Sequence, residues 1–122
     1  MNKKILIADD SKETRTLLHM FLEKEGYTII ESTNGSDALA KIHSEQPDLV
    51  ILDLIMPVID GVTVAIELDK NQKTENIPVI ISTSRGQLKD LLDLKDIKNI
   101  KGFIEKPFKP EAILEKVRSI LK

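Results

Sequence analysis

Cysteine is absent from the chain, which excludes disulfide frameworks, thiolate metal sites and thiol nucleophiles together. Tryptophan is absent as well, so a covalent adduct has to be followed by mass or gel shift rather than by tryptophan quenching. No basic excess exists: the net charge is −2, which provides no field of the kind that holds a protein on nucleic acid through its phosphates. Direct nucleic-acid contact is therefore not expected. Nor does any apolar run approach the roughly 18 residues that suggest a membrane span. Lys3 and Lys4 precede only the short run Ile5-Leu6-Ile7-Ala8, which is too brief for a signal-peptide core and ends on two aspartates. A soluble, cytoplasmic protein without membrane contact is expected. The five glycines, at 26, 35, 61, 86 and 102, are scattered and form neither a phosphate-binding loop nor a dinucleotide fingerprint.

What the chain does have is 122 residues, 41% of them apolar, enough for one ordinary core in one domain spanning 1–122. Short runs rich in Ile and Val alternate five times with longer segments of helical period. Strands are predicted at Lys4 to Asp9, Tyr27 to Glu31, Leu49 to Leu54, Val79 to Ser82 and Gly102 to Glu105. Three are nearly continuous in apolar residues, as befits a sheet covered on both faces. The first helix should start at the N-cap Ser11, bury Leu17, Leu18, Phe21 and Leu22, and stop at Gly26. The second follows Asn34-Gly35-Ser36 and buries Ala38, Leu39 and Ile42, ending before Pro47. A third runs from about Val62 and a fourth from about Gln87, presenting Leu88, Leu91, Leu92 and Leu94. The fifth opens with Pro110 and carries Ile113, Leu114, Val117, Ile120 and Leu121 on one face. Five βα units make an α/β parallel sheet between helix layers, and such sheets place their sites outside the carboxyl ends of the strands.

Those strand ends carry Asp9 and Asp10, Asp53, Thr83 and Lys106. If the first and third strands are neighbours, an order taken from the flavodoxin-like class rather than derived from the residues, the three carboxylates crowd within about 5 Å. Each such pair repels by roughly 3 kcal/mol at an effective dielectric near 20. A cation is the simplest relief. Oxygen donors with no His or Cys nearby favour a hard ion, and open positions for water and a phosphoryl oxygen suit Mg²⁺ better than Ca²⁺. A carboxylate beside a metal and an ammonium can attack phosphorus and become an acyl phosphate. Asp53 is the candidate, because it ends the buried run Leu49-Val50-Ile51-Leu52, while Asp9 and Asp10 form an outer pair suited to the metal. Taken alone, Asp9-Asp10 before a helix reads as capping, Lys106 as a salt bridge, Thr83 as a strand-end residue and Phe103 as core or half-buried. His19 and His43 sit in helical segments at exposed or rim positions and read as solvated.

Four motifs in order extend from the first strand to the last helix: Ile7-Ala8-Asp9-Asp10-Ser11, then Ile51-Leu52-Asp53-Leu54-Ile55-Met56-Pro57 with Asp60-Gly61, then Pro78 to Thr83-Ser84, then Gly102-Phe103-Ile104-Glu105-Lys106-Pro107-Phe108. In these the chain resembles the receiver domain of two-component response regulators, of the single-domain, chemotaxis-regulator-like kind. The resemblance implies a flavodoxin-like, doubly wound sheet of five parallel strands in the order 2-1-3-4-5 with five helices. It implies that Asp53 is phosphorylated from a phosphohistidine of a histidine kinase or phosphotransfer protein. Asp9, Asp10, Asp53 and the backbone carbonyl of Ile55 would hold Mg²⁺, and Thr83 and Lys106 would meet the phosphoryl group. The Lys106-Pro107 bond would be cis. Thr83 and Phe103 would form a switch that changes a partner-binding face made of the fourth helix, fifth strand and fifth helix. Such a domain is a switch rather than an enzyme, acting only on its own phosphorylation, and is a monomer or a phosphorylation-linked dimer. Ile55 and Arg85 stand at variable positions that influence how fast water reaches the acyl phosphate, and an apolar Ile55 predicts a long-lived phosphorylated state. Ser84 stands where alanine is frequent in the family.

Two further readings stay open: a phosphorylation-independent interaction module of the same shape, and the receiver piece of a larger multidomain regulator. A haloacid-dehalogenase-type phosphohydrolase also uses an Asp nucleophile, Mg²⁺ and Lys, but needs a second aspartate two residues on, where Ile55 stands.

Overall fold

The computed structural model describes residues 2–84 and 96–122. Its elements are β1 (Lys4–Ala8), α1 (Lys12–Lys24), β2 (Thr28–Ser32), α2 (Gly35–Glu45), β3 (Leu49–Asp53), α3 (Gly61–Lys70), β4 (Val79–Ser84), β5 (Ile100–Lys106) and α4 (Pro110–Leu121). The five strands form one sheet in the order β2-β1-β3-β4-β5, and every pair is parallel. This is the flavodoxin-like α/β fold. Four helices are present among the described residues. The additional helix expected from about Gln87, with Leu88, Leu91, Leu92 and Leu94, lies outside them, as does Arg85. α4 is the helix expected to open with Pro110, which occupies its first turn.

Strand limits differ from the sequence reading by one or two residues, the usual scatter of element ends. The shifts matter at the rim. Asp53 is the last residue of β3, while Thr83 and Lys106 fall inside β4 and β5 rather than after them.

Alternation along the strands divides the core between the two sheet faces. Leu6, Ala8, Val50, Leu52, Val79 and Ile81 pack with Ala38, Ile42, Val64, Ala65 and Leu68 of α2 and α3. Ile5, Ile7, Leu49, Ile51, Ile80 and Ile104 pack with Leu18 and Leu22 of α1 and Ile113 and Val117 of α4. Each fully buried Leu, Ile or Val contributes about 1.5–3 kcal/mol. Two expected core positions, Leu17 and Phe21, join neither cluster: Leu17 is 39% exposed and Phe21 half-buried. On α1, Leu18 and Leu22 are four apart and face the sheet, so Leu17 is turned about 100° from that direction onto the helix flank.

Polar side chains set where the helices begin. Ser11 Oγ accepts from the Thr14 amide at 3.3 Å, Asn34 Oδ1 from Asp37 at 2.8 Å and Asp60 Oδ1 from Thr63 at 2.8 Å. Gly26, at φ +99°, follows the C-cap of α1 in the conformation that glycine adopts without strain.

Candidate functional site

The same alternation builds the site. Ile5, Ile7, Leu49, Ile51, Ile80 and Ile104 face α1 and α4, so one step of two beyond them places Asp9, Asp53, Ser82 and Lys106 toward that face at the carboxyl ends. Ala8 pairs with Leu52, which sets Asp9 level with Asp53 on neighbouring strands. Asp53 pairs with Ser82, and Ser84 with Lys106, so the lysine arrives two strands away at the same rim.

One carboxylate oxygen from each of Asp9, Asp10 and Asp53 lies within 4.8 Å of the others. Lys106 Nζ stands 2.7 Å from Asp9 Oδ2 and 3.5 Å from Asp53 Oδ2. Asp9 is 2% exposed and Asp53 6%, while Asp10 is open to solvent. The expectation of an outer Asp9-Asp10 pair is thus half right, because Asp9 is as deeply set as the nucleophile candidate. Asp9 Oδ1 also accepts from the Ser11 amide at 2.9 Å.

Burial and the neighbouring Asp9 charge push the Asp53 carboxyl up to about 6, with Asp10 adding to the rise. Lys106 and the donating Ile55 amide pull the other way. The donor set tests well for a hard divalent cation: three carboxylate oxygens at close quarters, no nitrogen or sulfur, and more negative charge than one ammonium offsets.

The remaining expected residues are placed as follows. Thr83 is buried at the end of β4. Ile55 is 58% exposed just past β3, and Phe103 is 38% exposed on β5, register-paired with Ile81. The Lys106–Pro107 peptide is cis. Gly61, the N-terminal residue of α3, is required by close approach, since a Cβ there would stand 2.2 Å from the Asp53 carbonyl oxygen.

A buttress behind Asp9 was not foreseen from the sequence. His19 is not simply solvated: its Nδ1 is 2.7 Å from Glu31 Oε2 and its Nε2 is 3.2 Å from Glu23 Oε2. The hydrogen bond to Glu31 raises the imidazole above its ordinary value, against the opposing effect of burial, with Glu23 assisting. Arg15 Nε donates to Glu31 Oε1 at 3.0 Å and its Nη1 to the Asp9 carbonyl at 2.8 Å. For Glu31, burial works upward but is outweighed by bonds to His19 and Arg15, so its carboxyl is lowered. The one available signal was that Arg15 and His19 are four apart on α1 and so share a face.

A doubly wound parallel sheet with an acidic cluster and a lysine at its carboxyl rim is the class that fold and site define. The family model of the response regulator receiver domain matches residues 5–118, and the chain belongs to that family. It is similar to the alkaline phosphatase synthesis transcriptional regulatory protein PhoP of Bacillus subtilis, at 36% identity over all of this chain and 50% of that protein. It is also similar to Protein PilH of Pseudomonas aeruginosa, at 34% identity over 97% of each. Among solved structures, the chemotaxis response regulator CheY4 of Vibrio cholerae superposes with a TM-score of 0.91 at 26% identity, covering 99% of this chain and 100% of that one. The chain thus spans about half the length of the first of these relatives and nearly all of the second. Receiver domains are switch modules of two-component signalling rather than enzymes in the ordinary sense, and they work with histidine kinases or phosphotransfer proteins and with downstream effectors. No helix among the described residues is long and apolar enough to cross a membrane.

Proposed function

We propose that this chain is a phospho-accepting switch in which Asp53 takes a phosphoryl group from a phosphohistidine on a histidine kinase or phosphotransfer protein. The supporting observation is the placement of three acid oxygens within 4.8 Å of one another beside Lys106. An Asp53 carboxylate oxygen attacks phosphorus as the P–N bond to the donor imidazole breaks, and the imidazole leaves with the electron pair. Asp9, Asp10, Asp53 and the Ile55 carbonyl would hold Mg²⁺, which when bound supplies neutralising charge for the phosphoryl oxygens. Lys106 is within 3.5 Å of Asp53 and shifts from the carboxylates toward the new phosphoryl charge. Thr83 follows through a charge-assisted hydrogen bond, and Phe103 on β5 responds to the space it vacates. The readout face comprises β5, α4 and the helix expected from about Gln87, which lies outside the described residues.

Charge-assisted bonds of this kind supply a few kcal/mol, whereas swinging a two-state equilibrium from 1:99 to 99:1 takes about 5.5 kcal/mol. Phosphorylation therefore biases the switch and a downstream partner completes it, with the chain a monomer or a phosphorylation-linked dimer. A cytoplasmic location goes with this role. The share of PhoP that is matched supports a second reading, that the chain is the receiver part of a longer regulator. The phosphorylation-independent module has less support, because the acids, Thr83 and Lys106 are all present. Exposed, apolar Ile55 beside the site hinders a hydrolytic water, so Ile55→Asn should shorten the lifetime of the adduct. Incubation with acetyl phosphate and Mg²⁺, read by intact mass, tests the proposal. A Mg²⁺-dependent phosphate adduct on the wild type that is lost in Asp53→Asn is expected, and an adduct that survives the substitution would overturn it.

A further inference from the structure

Asp9 is held through four of its atoms. Its carboxylate meets Lys106 and the Ser11 amide, contacts that a cation arriving at those same oxygens would disturb. Its main chain is held independently of the carboxylate. The Asp9 amide donates to the Ser32 carbonyl of β2 at 3.1 Å, and the Asp9 carbonyl accepts from Arg15 Nη1 at 2.8 Å. That carbonyl belongs to the rigid peptide plane joining Asp9 to Asp10, so fixing it fixes the direction in which Asp10 leaves the strand.

Arg15 has little freedom of its own. Its side chain is 13% exposed and its Nε is tied to Glu31 at 3.0 Å. Glu31 is anchored in turn by His19 on its other carboxylate oxygen, and by Lys41 Nζ on its main-chain carbonyl at 2.7 Å. A guanidinium can grip a carbonyl and a carboxylate at once because its donors form a planar fork. The edge strand β2 thus grips both sides of the Asp9 residue, directly on the amide and through Arg15 on the carbonyl.

We propose that Arg15, braced by Glu31, is a positioning residue that presets the peptide between Asp9 and Asp10 for the divalent cation while touching neither the cation nor the phosphoryl group. This rests on the reading of the acidic trio as a cation site. Electrostatics and positioning predict opposite signs here. Arg15 carries positive charge close to the acids, so as a charge alone it repels a cation, and its removal would tighten binding. As a positioning group, its removal loosens the turn and weakens binding, by about tenfold if it resembles other groups that orient metal ligands.

Mg²⁺ affinity of the whole chain is measured by calorimetry at fixed ionic strength, with amide NMR spectra of the metal-free protein beside it. Wild type should bind saturably with shifts at Asp9 and Asp10; absence of such binding would defeat the cation reading itself. Given wild-type binding, Arg15→Gln should bind about tenfold more weakly, and its Asp10 amide should already be displaced without metal. Unchanged or tighter binding would overturn the positioning role and leave the cation reading intact. Arg15→Lys keeps the charge but loses the fork, and serves also if Arg15→Gln does not fold. Weakened binding by Arg15→Lys is expected, and affinity equal to wild type would refute the proposal. Glu31→Gln should have a smaller effect in the Arg15→Gln background than alone, since Glu31 acts through Arg15; equal effects in both would count against the chain of contacts.

Discussion

Replacing Asp53 by Asn should make the metal-free protein more stable, and by an amount that depends on pH in a defined way. The carboxyl titrates near 3.8 when unfolded and at about 6 in the fold, because burial and Asp9 disfavour its charge. Between these values the folded chain keeps a proton that the unfolded chain has given up, so raising the pH through this window withdraws stability from the fold. The separation of about two units corresponds to about 3 kcal/mol at 1.36 kcal/mol per unit. Asp10 opens the rim to solvent, and screening there reduces the figure to about 1–2 kcal/mol. Asn keeps the size of the side chain and an oxygen for the Ile55 amide while deleting the charge. Urea denaturation without divalent ions should therefore show Asp53→Asn about 1–2 kcal/mol more stable than wild type at pH 7.5, and thermal denaturation a Tm about 5 °C higher. The gap should close below pH 4. Saturating Mg²⁺ should narrow or reverse it, since the wild type gains RT ln(1 + [Mg²⁺]/Kd). A variant less stable than wild type at pH 7.5, or a gap that stays constant from pH 4 to 8, would show that the buried Asp53 charge does not destabilise the metal-free fold.

Three other substitutions probe the frame around the site. Gly61→Ala should cost about 1–3 kcal/mol by overpacking, because the new Cβ meets the Asp53 carbonyl at 2.2 Å; slower phosphorylation by acetyl phosphate should accompany the loss in a denaturation assay. Val58 holds φ at +72° although it is β-branched and 78% exposed, so Val58→Gly should stabilise the chain by about 1 kcal/mol in urea with little change in Mg²⁺ affinity. His19 titrates above 6.5 in the fold owing to its hydrogen bond with Glu31, so its contribution is complete below pH 6.5 and fades as the pH rises through the raised value. The stability lost in His19→Gln should accordingly be greater at pH 6 than at pH 8.5 by thermal denaturation.

Much of this molecule was legible in its residues. Runs such as Leu49-Val50-Ile51-Leu52 are apolar on both sides, as a doubly covered strand requires, whereas the five-stranded order came from the family resemblance and not from the residues, and it is the observed one. Once the sheet order is given, strict alternation carries Asp9, Asp53 and Lys106 to the same face, so their meeting needed no knowledge of side-chain detail. The depth of Asp9 was harder to see, since it depends on how far the rim is covered beyond the end of β1. The Arg15, Glu31 and His19 buttress was not legible, because it joins one face of α1 to an edge strand whose proximity only the tertiary fold creates. Leu17 misled for a related reason. Helical period identifies an apolar stripe, but its width against the sheet is decided by packing.

Of the three neighbouring acids, Asp53 is the one proposed to receive phosphate. Borohydride reduction of the phosphorylated protein converts an acyl phosphate to homoserine at the residue that carried it, and tandem mass spectrometry of the digest locates that residue. Homoserine at position 53, formed only when Mg²⁺ is supplied with the phosphodonor, is the predicted result. Homoserine at position 9 or 10, or at 53 to the same extent after exhaustive chelation, would contradict it.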